Sequence, residues 1–120
     1  MKNRICHISS VHPRFDSRIF RKECVSLASH GYDVSFIVAD GIKDEEFDGV
    51  KIINVKPSDD KLSRINRILK IPKLIESKID SLKPKIIHFH DPELIPLALR
   101  LKRKGFLVVA DFHEDIPLQI

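Results

Sequence analysis

The 120 residues are 42% hydrophobic and 32% charged, with 21 Lys/Arg against 17 Asp/Glu, a net charge of +4. That balance excludes a disordered tail and leaves room for one small domain with one core. No apolar run reaches the roughly 18–20 residues that cross a bilayer, and MKNRICHISS lacks the apolar stretch of a secretory signal, so a cytoplasmic chain is expected.

The first strand is expected at Arg4–Ser9, followed by a loop, SVHPRFD. A helix over Ser17–His30 follows from the spacing of Ile19, Phe20, Cys24, Leu27 and Ala28. Asp16 or Ser17 suits its N-cap and Gly31 its C-cap. YDVSFIVA reads as a second strand, DGIKDEEFDG as a charged loop and VKIINVK as a third strand. Lys61–Leu82 carries Leu62, Ile65, Ile68, Leu69, Ile75, Ile79 and Leu82 on one side. It is one long amphipathic helix, or two divided at Pro72.

KIIHFH reads as a fourth strand. Asp91 then caps a helix beginning at Pro92 and Glu93, which runs to about Lys104 and ends at Gly105. FLVVADFH reads as a fifth strand, and EDIPLQI as the start of another helix. Strands with continuous apolar centres, joined by helices, imply a mostly parallel sheet covered on both faces. The expected fold is α/β: a Rossmann-like, doubly wound sheet of about five strands.

In such a sheet ligands bind beyond the carboxyl ends of the strands. Three polar clusters fall there: SSVHPRFDSR, HFHDPE and DFHED. His88 and His90 share one strand face because side chains alternate with a period of two. His88 is expected behind the rim and His90 at the ligand side. A metal site would need Asp91, His113 or Glu114 as further ligands. His7 is expected in the core, His12 on the loop surface and His30 at a helix end. Cys6 and Cys24 are expected as buried free thiols. No G-x-G-x-x-G follows the first strand and no P-loop occurs, which disfavours a dinucleotide fold and a P-loop nucleotidase.

The charge is uneven: Lys61–Lys85 holds eight Lys/Arg and two Asp/Glu, a local +6. Such a segment is a solvated helix face or a contact for anionic lipid. It lacks aromatic residues, so nucleic acid is not an expected partner.

Three stretches match a known pattern in order and spacing: DSRIFRKECVSLASHGYDVSFIVAD, IIHFHDPELIPLALRLKRKG and VVADFHEDIPLQI. Through them the chain resembles the N-terminal part of the retaining family-4 glycosyltransferases, which have the GT-B fold. The resemblance implies transfer of a sugar from a nucleotide-sugar donor to a glycan or lipid-linked acceptor, with retention and with no metal or other cofactor. Residues 1–120 would form the acceptor-side domain, without the donor-binding domain, and alone would be inactive. Membrane contact through Lys61–Lys85 would place the enzyme at the inner membrane face.

By position His113 matches the family histidine that reaches the donor sugar, and His90 and Asp91 match the cleft rim. Asp16, Arg18 and Glu114 complete the expected substrate-binding set. Many members carry a glycine pair in the loop after the first strand, where this chain has SSVHPRFD. Phosphate contact there would fall to Arg14 or Arg18. Two rival readings are a metal-dependent hydrolase using His88, His90, Asp91 and His113, and a non-catalytic Rossmann-like binding module.

Overall fold

A computed structural model describes residues 3–57 and 64–111. Six strands form one sheet: β1 (Arg4–Ile8), β2 (Asp33–Val38), β3 (Glu45–Phe47), β4 (Val50–Asn54), β5 (Ile86–Phe89) and β6 (Leu107–Ala110). Their order is β3-β4-β2-β1-β5-β6. All pairings are parallel except that of β3 with β4. The fold is therefore the expected α/β Rossmann-like sheet, enlarged by one edge strand.

That extra strand lies inside the stretch read from sequence as a loop. Asp48 and Gly49 turn it back with φ of 51° and 82°. Two successive positive φ values make the tight turn that matches the twist of paired strands, and Asp-Gly is a favoured pair for it.

The period-two alternation distributes the core over both faces. Val34, Phe36 and Val38 of β2 face the first helix, α1 (Ser17–Ser29), and pack with Ile19, Phe20, Cys24, Val50 and Ile52. Ile37 turns the other way and joins Cys6, Ile8, Ile87 and Phe89. That face is covered by α2 (Arg64–Leu82) and α3 (Ile95–Arg103), through Ile71, Ile75, Ile79, Leu97 and Leu101.

Helix α1 begins as a π-helical segment, Ser17–Cys24, and continues as Val25–Ser29 in α form. The Asp16 carbonyl accepts from both Phe20 at 2.9 Å and Arg21 at 3.4 Å, the mark of the widened turn. The helix ends at Gly31, whose φ of 92° meets the C-cap expectation. Helix α2 is a single helix with Pro72 inside it, so the division at that proline does not occur. Leu69 is 60% exposed and lies outside the core, whereas Ile71 is buried. Ile75, Ile79 and Leu82 lie on the stripe read from sequence, while Leu69 leaves it and Ile71 joins it. Leu62 and the side chains of Ile65 and Ile68 lie outside the described residues.

From β1 the chain steps outward to β2 and β4, then returns across the sheet through α2 to β5, on the other side of β1. The strand order reverses between β1 and β5, the position where such sheets open a crevice at their carboxyl ends.

Candidate functional site

The crevice between β1 and β5 is roofed by the loop Ser9–Asp16, and Asp91 organises that loop. Its carboxylate is 1% exposed. It accepts the Ser10 amide at 2.5 Å, the Ser10 hydroxyl at 3.1 Å and the Ser9 hydroxyl at 3.2 Å. His12 Nδ1 lies 3.0 Å away. Asp91 occupies the N-cap position before Pro92, yet its side chain makes no cap hydrogen bond. The capping role expected for it is replaced by the loop. His12, expected on the surface, is half-buried and held between Ser9 and Asp91.

Arg14 fixes the far side of the same loop. Nε and Nη2 make a two-point contact with Asp40 at 2.7 and 2.9 Å. Nη1 and Nη2 also donate to the carbonyls of Lys43 and Ile42, and Nη1 reaches Glu45 at 3.2 Å. A guanidinium has five N–H donors, and these contacts occupy them. Arg14 is 4% exposed. It is not free to serve as the phosphate ligand expected from sequence, and that expectation is corrected here.

Beneath the loop three imidazoles share one face of the sheet. His7 and His88 are partners in register, and His90 follows two residues on. The His7 ring stacks on His88 at 4.5 Å and 14°, and on His90 at 5.1 Å and 17°. His7 Nδ1 lies 2.8 Å from His90 Nε2, so one of the two carries the hydrogen between them. Burial, followed by the neighbouring His88 and His90, pushes His7 down to about 2. Burial lowers His88 as well. His7 and His88 are therefore neutral near pH 7.

Glu23 reaches this layer from α1. Its Oε2 is 3.9 Å from His90 Nε2. Burial, then the charge and hydrogen bond of Asp111 at the end of β6, push the Glu23 carboxyl up to about 7. One nitrogen each of His7 and His90 and one Glu23 oxygen lie within 4.8 Å of one another. Burial raises the Cys6 and Cys24 thiols, which stay protonated and unreactive.

Of the residues expected from sequence, Asp16 and Arg18 act on the charge of Glu23, which faces His90, and Asp91 holds the loop. Asp16 also caps α1, its Oδ1 accepting the Arg18 and Ile19 amides at 3.0 Å each. Arg18 is half-buried, and its Nε has no hydrogen-bond partner. His90 is 2% exposed, so it lies under the rim rather than on it. His113 and Glu114 lie outside the described residues. The set His88, His90 and Asp91 does not converge, because the Asp91 carboxylate turns to the Ser9–His12 loop.

Glu23, Asp111 and the Ser9–Ser10 pair are absent from the sequence-based set. Asp111 follows Ala110, the register partner of Phe89, so it falls beside His90. Glu23 is the one acid in the middle of a helix whose Ile19, Phe20 and Cys24 are buried.

The model of the family described as "Glycosyl transferase 4-like" matches residues 4–112. No curated protein matches the chain. Among solved structures, the sucrose-phosphate synthase of Thermosynechococcus elongatus superposes with a TM-score of 0.69 at 13% identity, over 94% of this chain and 33% of that one. A structure from E. coli named for trehalose-6-phosphate and bound with UDP-2-fluoro glucose gives 0.56 at 15% identity, over 98% and 34%. At these identities the likeness is one of fold. The chain spans about a third of the length of both.

Proposed function

The chain belongs to the glycosyl transferase 4-like family, and on that premise we propose that it is the acceptor-side domain of a retaining glycosyltransferase. The enzyme would move a sugar from a nucleotide-sugar donor to a glycan or lipid-linked acceptor. The observation that carries this reading is the polar cluster at the switch between β1 and β5. There, residues from β1, α1, β5 and β6 meet under a loop clamped by Asp91 and Arg14. Ligands of doubly wound sheets bind at such a place. The E. coli structure superposed above is itself bound with UDP-2-fluoro glucose, which supports a nucleotide sugar as the donor class.

In this reading the described crevice is one wall of the cleft, and a second Rossmann-like domain outside these 120 residues holds most of the nucleotide. His113 reaches the donor sugar, while Asp16, Arg18 and Glu114 bind substrate. Arg18, with its unpartnered Nε, takes the anionic contact that Arg14 is too fully engaged to make. The transfer step itself requires no metal. The test is transfer from a panel of UDP-, GDP- and ADP-sugars. The chain joined to a donor domain turns one of them over, and the 120-residue chain alone turns over none. Turnover by the 120 residues alone, or none in the joined form across the panel, overturns the reading.

The acceptor side is proposed to lie at an anionic membrane face. Supporting this, Leu69 is 60% exposed beside exposed Lys70 and Lys73 on α2. The Glu76 carboxylate is taken up by Arg100 and Lys104 of α3, so the basic charge of α2 faces outward without it. Among the described residues no helix is long and apolar enough to cross a membrane; contact would be peripheral. Sedimentation with phosphatidylglycerol vesicles that weakens as salt rises is the expected result.

A further inference from the structure

We infer that His7, Glu23 and His90 form a binding site for one divalent ion of the zinc class, which fastens α1 to the sheet. The three donors come from β1, α1 and the end of β5, and converge to within 4.8 Å. Around a tetrahedral ion with bonds near 2.0–2.1 Å, donor atoms stand about 3.3 Å apart. The separations of 2.8 Å (His7 to His90) and 3.9 Å (His90 to Glu23) bracket that value. Shifts of about half an ångström at these two pairs, with closure of the His7–Glu23 side from within 4.8 Å, would seat the ion.

The surroundings suit an ion as well as the distances do. His7 and His90 are 1% and 2% exposed, so water has little access to them. Glu23 Oε2 is buried without a hydrogen-bond partner. Buried polar atoms of this kind call for a ligand, an ion or water. Asp111 is hydrogen-bonded to Glu23 and holds that carboxyl in place. His88 stacks on the His7 ring and restricts its tilt. Two imidazoles with carboxylate oxygens suit zinc and its neighbours, whereas magnesium and calcium prefer oxygen alone.

The site is structural: it lies in the floor of the same polar cluster and supplies no group to sugar transfer. It is tested on the whole chain without a sugar substrate. After chelator treatment, the protein is titrated with zinc by calorimetry and with cobalt by visible absorption, and its melting is followed with zinc. About one equivalent bound, a rise in melting temperature and the intense visible bands of tetrahedral cobalt are expected. Glu23→Gln and His90→Gln should each weaken binding at least about tenfold, with circular dichroism confirming the fold. If His90→Gln fails to fold, the partly exposed Glu23→Gln decides alone. Uptake of less than about a tenth of an equivalent, or stoichiometric binding that both variants leave unchanged, overturns the site. In the first case the cluster is held by shared hydrogens, and in the second the ion sits on other histidines.

Discussion

The Ser10 backbone amide donates to the Asp91 carboxylate at 2.5 Å although 81 positions separate them in the chain. This bond ties the end of β1 to the end of β5, across the point where the strand order reverses. It turns an eight-residue polar loop into a fixed wall. Replacing Asp91 by Asn keeps the shape and removes the charge, leaving one carbonyl oxygen for donors that now share two. A loss of about 2 kcal/mol is expected, in keeping with hydrogen bonds to charged groups. Urea unfolding measures it, and hydrogen exchange at the Ser10 amide should quicken in the same variant.

The Arg14 clamp is nearly dry, with side-chain exposures of 5% for Arg14 and 20% for Asp40. Arg14→Ala leaves Asp40 and two carbonyls without their donor. About 3 kcal/mol of stability should be lost, as when one partner of a buried pair is removed. Arg14→Lys keeps the charge but not the fork, and should recover only part of that loss. Equal stability of the Lys variant and the parent would mean that charge alone holds the loop.

Acid should loosen this region in a defined window. Burial raises the Asp40 carboxyl, but the Arg14 hydrogen bond and the Ile42 amide outweigh it and hold the group below its ordinary value. In Asp16, burial is likewise outweighed by the Ile19 and Arg18 amides. Both groups are depressed in the folded state. Their contribution is therefore fully present above the ordinary carboxylate value of 3.8 and is lost as pH falls through the depressed folded values. Stability measured downward from pH 6 should fall below about pH 4. The fall should be shallower in Arg14→Gln, and an equally steep one would separate the clamp from acid sensitivity.

Two positions on α2 should behave oppositely. Ile79 is fully buried against the sheet, so Ile79→Ala should cost about 3 kcal/mol through lost transfer and cavity terms. Leu69, 60% exposed, should tolerate Leu69→Ser within about 0.5 kcal/mol. If the outer face of α2 meets lipid, Leu69→Ser should still weaken vesicle binding, a change that thermal melting does not register.

The sheet was legible in the sequence because its strands have apolar centres and its helices have clear starts and stops. What escaped depended on distance or on departure from the standard periods. Strand β3 is three exposed residues, Glu45–Phe47, too short and too charged to stand out. Its one signal was the Asp48–Gly49 pair, which the run of charges concealed. Arg14 was read as open to phosphate because its acid partners lie 26 and 31 residues further on. The His88–His90 alternation was plain, but the pairing of His7 with His88 required the register of β1 on β5. Glu23 was read as part of a helix pattern, since nothing local distinguishes an acid that faces a cleft from one that faces water.

The π-helical opening of α1 holds one more residue than an α-helix of the same length would need. Each added residue rotates everything after it by roughly 100° around the axis. Ile19, Phe20 and Cys24 face the core while Glu23 faces the imidazoles, and that division depends on the surplus residue. A helix shortened by one position within Ser17–Cys24 would be more regular, yet it would carry its acid away from the crevice. The widened turn thus sets which side chain meets the histidine layer.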